Sequence, residues 1–311
     1  MLLIFESILP VFLIVALGVL LGRWSVIPKG FWKDFNTFGF YVLFPCLIFQ
    51  AIAFADFSDL PIGNIAYATV ISFAVMPIII FSMWPYLKRK GVPRGTFTTL
   101  FQTTTRWHGF MALAIAEKLH GQTGLTFIAV VMVIIILPIN FTNVAVLVWF
   151  GDDKHSIANF AKKMLTNPII LASILAIIFK TFNIPIYDPI AQGIDFIARA
   201  SLGMGLLMIG AGLRIYDLVH PDKLSIFAVL AKLIIVPMAA FLAGTLFGLG
   251  PIELTLLTVA CAVPTANNGY VLAQRMGGNA PLYASIASQQ VILSFITIPI
   301  VLLITNHLKG Q

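Results

Sequence analysis

Apolar runs of about twenty residues recur from one end of the chain to the other, each closed by a short polar or basic loop. They predict an all-α polytopic membrane protein with ten transmembrane helices, near 4–22, 33–54, 62–86, 95–119, 124–149, 167–184, 190–213, 223–247, 253–275 and 280–305. A transmembrane β-barrel needs short segments of alternating hydrophobicity, and the sequence offers none. Two of the ten runs are interrupted. Span four reads TFTTLFQTTTRWHGFMALAIAEKLHG (96–121), with the polar knot QTTTRWHG at its middle, and span nine carries VPTANNG in the matching place. Arg106 lies twelve residues from Arg94, which puts the first knot near bilayer mid-depth at roughly 1.5 Å per residue. Irregular backbone at that depth is tolerated only where protein or a water-filled cavity surrounds it.

The pattern also repeats. PVFLIVALGVLLGRWSVIP (10–28) is echoed by PIILASILAIIFKTFNIP (168–185). Pro77 in span three answers Pro237 in span eight, and Pro138 in span five answers Pro299 in span ten. These proline pairs are separated by 157 (28 to 185), 160 and 161 residues. The near-constant offset divides the chain into a five-helix repeat over 1–150, a short cytoplasmic linker over 151–166 and a second five-helix repeat over 167–311. Five is odd, so the second copy is expected upside down relative to the first. Inverted repeats with interrupted helices are the architecture of many secondary transporters. At such an interruption the half-helix N-termini present free N–H groups and a positive dipole end, which suit an anion. Thr103, Thr105, Thr265, Asn267 and Asn268 stand where they can satisfy the freed backbone and contact a substrate.

Composition sharpens this. Apolar residues make up 59% and charged residues 10% of the 311, with mean hydropathy +0.99, against roughly 25% charged residues in soluble domains. Glu6 stands where a signal peptide would have a basic region, so residues 4–22 are expected to remain as the first span. Cys46 and Cys261 both lie in apolar spans, and neither a disulfide framework nor a Cys-rich metal site is expected. Thirteen basic residues (Arg23, Lys29, Lys33, Lys88, Arg89, Lys90, Arg94, Lys154, Lys162, Lys163, Arg214, Lys223 and Arg275) fall in one set of alternate loops. Only Lys118, Lys180 and Lys309 fall in the other. The positive-inside bias places the first set in the cytoplasm and both termini outside. The net charge of +7 therefore sets topology and does not point to nucleic acid.

Ten spans, YVLFPCLIF (41–49), AKLIIVP (231–237) and AVPTANNGYVLAQRMG (262–277) together resemble the auxin efflux carrier family, whose bacterial members include malonate-type permeases. The resemblance covers essentially the whole chain, and the span-nine motif is its most specific part. It implies residence in the cell inner membrane and a crossover fold like that of sodium–proton antiporters and bile-acid symporters. Substrate would then sit where the two broken helices cross. Carried over by position, the site takes Pro264, Thr265, Asn267 and Asn268 from span nine and the TRWHG knot, with Thr105, Arg106 and His108, from span four. The sequence departs from the plant carriers in having no proline at the first break and a short central loop. A homodimer through the scaffold spans enters only by analogy.

Charges inside the spans carry the chemistry. Arg106 offers a fork of donors that suits a carboxylate; the alternative is an arginine tying down carbonyls at the break. Lys232 lies nine residues beyond Lys223, about 13 Å deep. It either balances an anionic substrate and exchanges a proton, or is a fixed cation hydrogen-bonded to the span-nine break in place of a sodium ion. Asp195 and Arg199, four apart, form a self-neutralising pair or make Asp195 a protonation site coupled to transport. His108 binds substrate, relays protons or is held structurally. Gln289, Gln290, Asn140 and Asn143 are more suited to gluing helices than to binding. Gly203, Gly205, Gly210 and Gly212 suggest close helix approach.

Three intramembrane cations (Arg106, Lys232, Arg199) against one clear acid (Asp195) make the core electropositive, which argues for an anionic substrate. The expected function is a secondary transporter of small organic anions, carboxylates of malonate or auxin type, by alternating access where spans four and nine cross. The alternatives are a passive uniporter or channel, or a sodium- or proton-coupled symporter of another solute. The chain has no HExxH motif, no paired catalytic aspartates and no GxxxxGK[ST] loop, so neither an enzyme nor an ATP-driven pump is expected, and no cofactor.

Overall fold

A computed structural model of the chain describes residues 2–54, 60–150, 166, 168–213, 222–266 and 269–309. Among these residues the secondary structure is helical, with no strand. Helix α1 covers Leu2–Arg23, α2 Lys29–Phe38, α3 Phe44–Ala53, α4 Ile62–Arg89, α5 Arg94–Thr105 and α6 Gly109–Phe150. Then follow α7 (Pro168–Thr181), α8 (Asp188–Ala211), α9 (Lys223–Leu230), α10 (Val236–Leu246), α11 (Pro251–Ala262), α12 (Gly269–Arg275) and α13 (Ala280–Lys309). Six helical stretches among the described residues are long and apolar enough to cross a membrane: Gly30–Ala53, Ile62–Arg89, Arg94–Phe150, Asp188–Ala211, Lys223–Leu246 and Ala280–His307. Leu9–Arg23, Ile170–Thr181 and Pro251–Ala262 are shorter apolar helices.

Leu13, Tyr67, Ile78, Phe196, Leu242 and Ile300 are exposed, whereas Gln102, Asn143, Lys232, Gln290 and Ser294 are buried within an otherwise apolar core. Large exposed apolar surface around a core that encloses polar side chains suits lipid as the outer solvent.

Local sequence explains the irregular helices. Two π-turns, Gly39–Leu43 and Ala231–Ile235, each end two residues before a proline, Pro45 and Pro237. A proline ring clashes with the carbonyl four residues back, and a widened turn relieves that clash. The second π-turn joins α9 to α10 and carries Lys232. Helix α6 is two helices meeting at His120 (φ −139°) and Gly121 (φ +55°). Past this point the chain doubles back. Gly124 lies against the carbonyl of Ala116, whereas residues eight apart in one straight helix are about 12 Å from each other. The loop expected near 119–124 is therefore a reversal, and Gly121 supplies the left-handed backbone it needs.

Helices α1 and α8 pack backbone to backbone, with Gly210 against the Val15 carbonyl and Gly18 against the Leu207 carbonyl. Of the glycines expected to permit close approach, Gly210 does so; a Cβ on Gly205 would make ordinary contact with Phe110 at 3.5 Å, and one on Gly203 would meet nothing within 4 Å. At the opposite extreme of packing stand α5 and α11. Phe97–Thr105 and Leu254–Ala262 are buried without a break, so each short helix is enclosed all round. Helix α5 packs on α4, α6, α9, α12 and α13, and α11 packs on α6, α10 and α13.

Candidate functional site at the two helix breaks

Both interruptions read from the sequence are present. Helix α5 ends where Arg106 turns extended (φ −65°, ψ 155°), and α11 ends where Val263 does the same (φ −71°, ψ 151°). Trp107 and His108 precede α6, and Pro264, Thr265 and Ala266 continue the second break. Asn267 and Asn268 lie outside the described residues.

Each break closes the other. The Trp107 indole N–H donates to the Ala260 carbonyl at 2.6 Å, in the last turn of α11. The Thr265 hydroxyl donates to the Gln102 carbonyl, in the last turn of α5, at 3.5 Å. Gln290 of α13 accepts from the Thr265 N–H at 2.9 Å and donates to the Thr103 carbonyl at 3.0 Å. Tyr283, two turns earlier on α13, donates to the Ala266 carbonyl at 2.6 Å, and its oxygen is 3.0 Å from the Thr265 hydroxyl. The Ala260 carbonyl, four residues before Pro264 and so without an intrahelical N–H, is thus met by a side chain of the opposite break, and the Gln102 carbonyl takes the Thr265 hydroxyl beside the Arg106 N–H at 2.9 Å. Trp107→Phe keeps the ring and removes the donor, leaving the Ala260 carbonyl buried and unpaired. The expected loss is about 1–3 kcal/mol, read as a lowered thermal unfolding temperature in detergent.

The threonines of the first knot do less than their position suggests. Thr103 bonds back to the Thr99 carbonyl at 2.9 Å, and Thr105 to the Phe101 carbonyl at 2.7 Å, with Asn143 Oδ1 at 3.2 Å. Their hydroxyls serve their own helix and α6.

Arg106 and His108 are buried, and Arg106 Nε donates to Gln102 Oε1 at 3.3 Å. Lys232 is fully buried on the π-turn that packs against α5, α11 and α13. Its Nζ has no hydrogen-bond partner among the described residues and lies 5.7 Å from the centroid of Phe73. The Phe73 ring meets Trp107 edge-on at 6.3 Å. A hydrogen bond from Lys232 to the described part of the span-nine break (263–266) is therefore absent. Gln102 Nε2 and His108 Nδ1 are also buried with no partner among the described residues. No Asp or Glu among the described residues is buried. Among the described residues, the donors Gln102 Nε2 and Lys232 Nζ are thus left without hydrogen-bond partners beside the two breaks.

Asp195 belongs elsewhere. It sits on α8, 2.7 Å from Arg199 Nε, with Gln50 Nε2 at 3.4 Å, and the Arg199 side chain is 78% exposed. Helix α8 packs on α1, α3 and α6, not on α5 or α11. The geometry is that of the self-neutralising pair, not of a member of the buried group. Gln102 and Tyr283 were not singled out by sequence reasoning. A usable signal was present for Tyr283: it lies seven residues before Gln290, so the two share one face of α13.

Comparison with known proteins agrees with this architecture. The model of the family described as "Membrane transport protein" matches residues 3–147 and 154–302. A Rhizobium meliloti (strain 1021) protein named "Putative malonate transporter" is 25% identical over 277 residues, covering 87% of this chain and 86% of its own length. The "Uncharacterized transporter YfdV" of Escherichia coli (strain K12) is 23% identical over 298 residues, covering 90% and 92%; the Shigella flexneri protein of that name matches equally. With the family model spanning nearly the whole length and the apolar helices to match, the chain belongs to the membrane transport protein family, that of the auxin efflux carriers.

Proposed function

We propose that this chain is a secondary transporter of small organic anions, carboxylates foremost, bound where the α5/α6 and α11/α12 breaks cross. The observation that carries the reading is Lys232: a fully buried ammonium with no hydrogen-bond partner among the described residues, in an interior where no described carboxylate is buried. A buried charge costs several kcal/mol unless it is paired. The neighbouring uncommitted group, Gln102 Nε2, is also a donor. An acceptor-rich anion resolves both, and Arg106 brings a second cation into the same buried region. Thr265, Pro264, Asn267 and Asn268 supply the second break, with Thr105 and His108 flanking the first.

The ten-span reading with inverted repeats over 1–150 and 167–311 belongs to this proposal. It is supported by the spacing of the two extended turns, 157 residues apart (106 to 263), the same as Pro28 to Pro185. Rocking of one repeat on the other about the crossing gives alternating access. The placement of both termini outside follows from the positive-inside bias, and inner-membrane residence rests on the family resemblance. The relative named for malonate makes a dicarboxylate the first probe.

The test is charge movement on a solid-supported membrane, with radiolabel uptake beside it, from proteoliposomes given jumps of malonate, succinate, acetate and an aromatic carboxylate. Wild type is expected to give saturable carboxylate-dependent flux. Arg106→Ala is expected to lose affinity by roughly 30-fold or more, from about 2 kcal/mol for a lost buried charge contact. Response to an imposed proton or sodium gradient separates a coupled carrier from a passive one. Absence of both binding and flux for every carboxylate overturns the anion assignment.

A further inference from the structure

We infer that Gln290 is a positioning residue of this site, one side chain that ties the two helix breaks and the Lys232 helix to one another; this rests on the transport reading above. Gln290 is fully buried on α13. Its Oε1 accepts the Thr265 N–H at 2.9 Å, and its Nε2 donates to the Thr103 carbonyl at 3.0 Å and the Ala228 carbonyl at 3.2 Å. One carboxamide therefore reaches backbone on three separate elements: the second break, the end of α5, and α9 one turn before Lys232.

Two of those backbone groups have a local reason to need it. Thr265 lies in non-helical chain, where no helix supplies an acceptor for its N–H. The Thr103 carbonyl is in the last turn of α5, and the N–H four residues on belongs to Trp107, which has left the helix. The Ala228 carbonyl accepts the Ala231 N–H as well, at the start of the π-turn Ala231–Ile235, so there Gln290 adds a second bond that ties α9 to the breaks. The chemistry selects glutamine closely. An amide offers one acceptor oxygen and two N–H donors on one planar head, and here both donors and the acceptor are used. Glutamate keeps the acceptor and loses the donors; leucine keeps only the volume.

Tyr283 holds the same non-helical segment by its carbonyl side at Ala266, so residues 265 and 266 are pinned through both an N–H and a C=O from one face of α13. The separation of Arg106 from Lys232 then depends on an amide that touches neither head group. Gln290 acts through the residues it places, and its loss is expected to appear in affinity as well as in stability.

The experiment uses the full chain in detergent, with malonate as the probe. Gln290→Leu, Gln290→Glu and, as a control elsewhere on α13, Thr305→Val are compared by hydrogen–deuterium exchange, malonate titration and thermal unfolding. Thr305 bonds within its own helix, to the Val301 carbonyl at 2.8 Å. Gln290→Leu is expected to speed exchange of the Thr265 amide at least tenfold and to weaken malonate binding at least tenfold. Gln290→Glu, which still accepts from Thr265, is expected to keep that protection and still lose affinity. Thr305→Val is expected to change neither. A Gln290→Leu protein that melts earlier but retains wild-type exchange at Thr265 and wild-type affinity would overturn the inference and leave Gln290 as helix glue. If Gln290→Leu does not fold, Gln290→Glu decides by affinity, and unchanged binding there overturns the inference. If wild type binds no carboxylate, the transport reading fails, and the exchange comparison alone decides what Gln290 holds.

Discussion

Lys232→Met is expected to make the protein more stable and to abolish anion binding. Methionine nearly matches the lysine stem in volume and flexibility, so the packing against Phe73 survives the change. What disappears is a fully buried ammonium without a hydrogen-bond partner among the described residues. Replacing buried ionic groups by well-packed apolar ones commonly gains about 1–4 kcal/mol, whereas removing a counter-charge from a bound anion costs about 2–5 kcal/mol of affinity. The two effects have opposite signs, which is the signature of a residue kept for function at the expense of stability. Thermal unfolding in detergent should shift upward without ligand, and malonate should no longer raise it further. Carboxylate flux should fall by roughly 100-fold or more. A lower melting temperature with flux retained would make Lys232 a structural cation instead.

Gly210→Val is expected to have the largest effect on folding. Any Cβ at 210 meets the Val15 carbonyl and lies 2.8 Å from the Val19 nitrogen, so the obstacle is backbone of α1 and cannot rotate away. Helix α1 must move off α8, and Gly18, which approaches the Leu207 carbonyl, moves with it. Association between helices in lipid has no hydrophobic drive and relies on close packing, so a lost contact of this kind is not replaced. The cost is about 3 kcal/mol, at the upper end for overpacking, and a fall in melting temperature of roughly 5–10 °C is expected. Gly203→Val, on the same helix with open space around it, should change little. Equal stability of the two variants would refute the close-packing account.

The helical class and the positions of both breaks were legible in the sequence because hydrocarbon imposes one rule on every span. Backbone groups must be paired inside the helix, so a polar knot such as QTTTRWHG or VPTANNG in an apolar run announces its own exception. The pairing of Asp195 with Arg199 was legible for a similar reason, since residues four apart on a helix share a face. The close approach at Gly210 was legible as a residue type but not as a partner.

The reach of Gln290 to Thr265, Thr103 and Ala228 was not readable, because those groups stand 25, 187 and 62 residues away in sequence. Nor was the indole of Trp107 closing the Ala260 carbonyl across 153 residues, or the isolation of Lys232 from hydrogen-bond partners among the described residues. By itself, then, the sequence determined where helices run and where they fail, since both depend on the local match between side chains and lipid. Only the tertiary structure decided which groups repair the failures and which charge is left over. Hydrogen bonding is satisfied by whatever lies within about 3 Å, and that neighbourhood is assembled from distant parts of the chain.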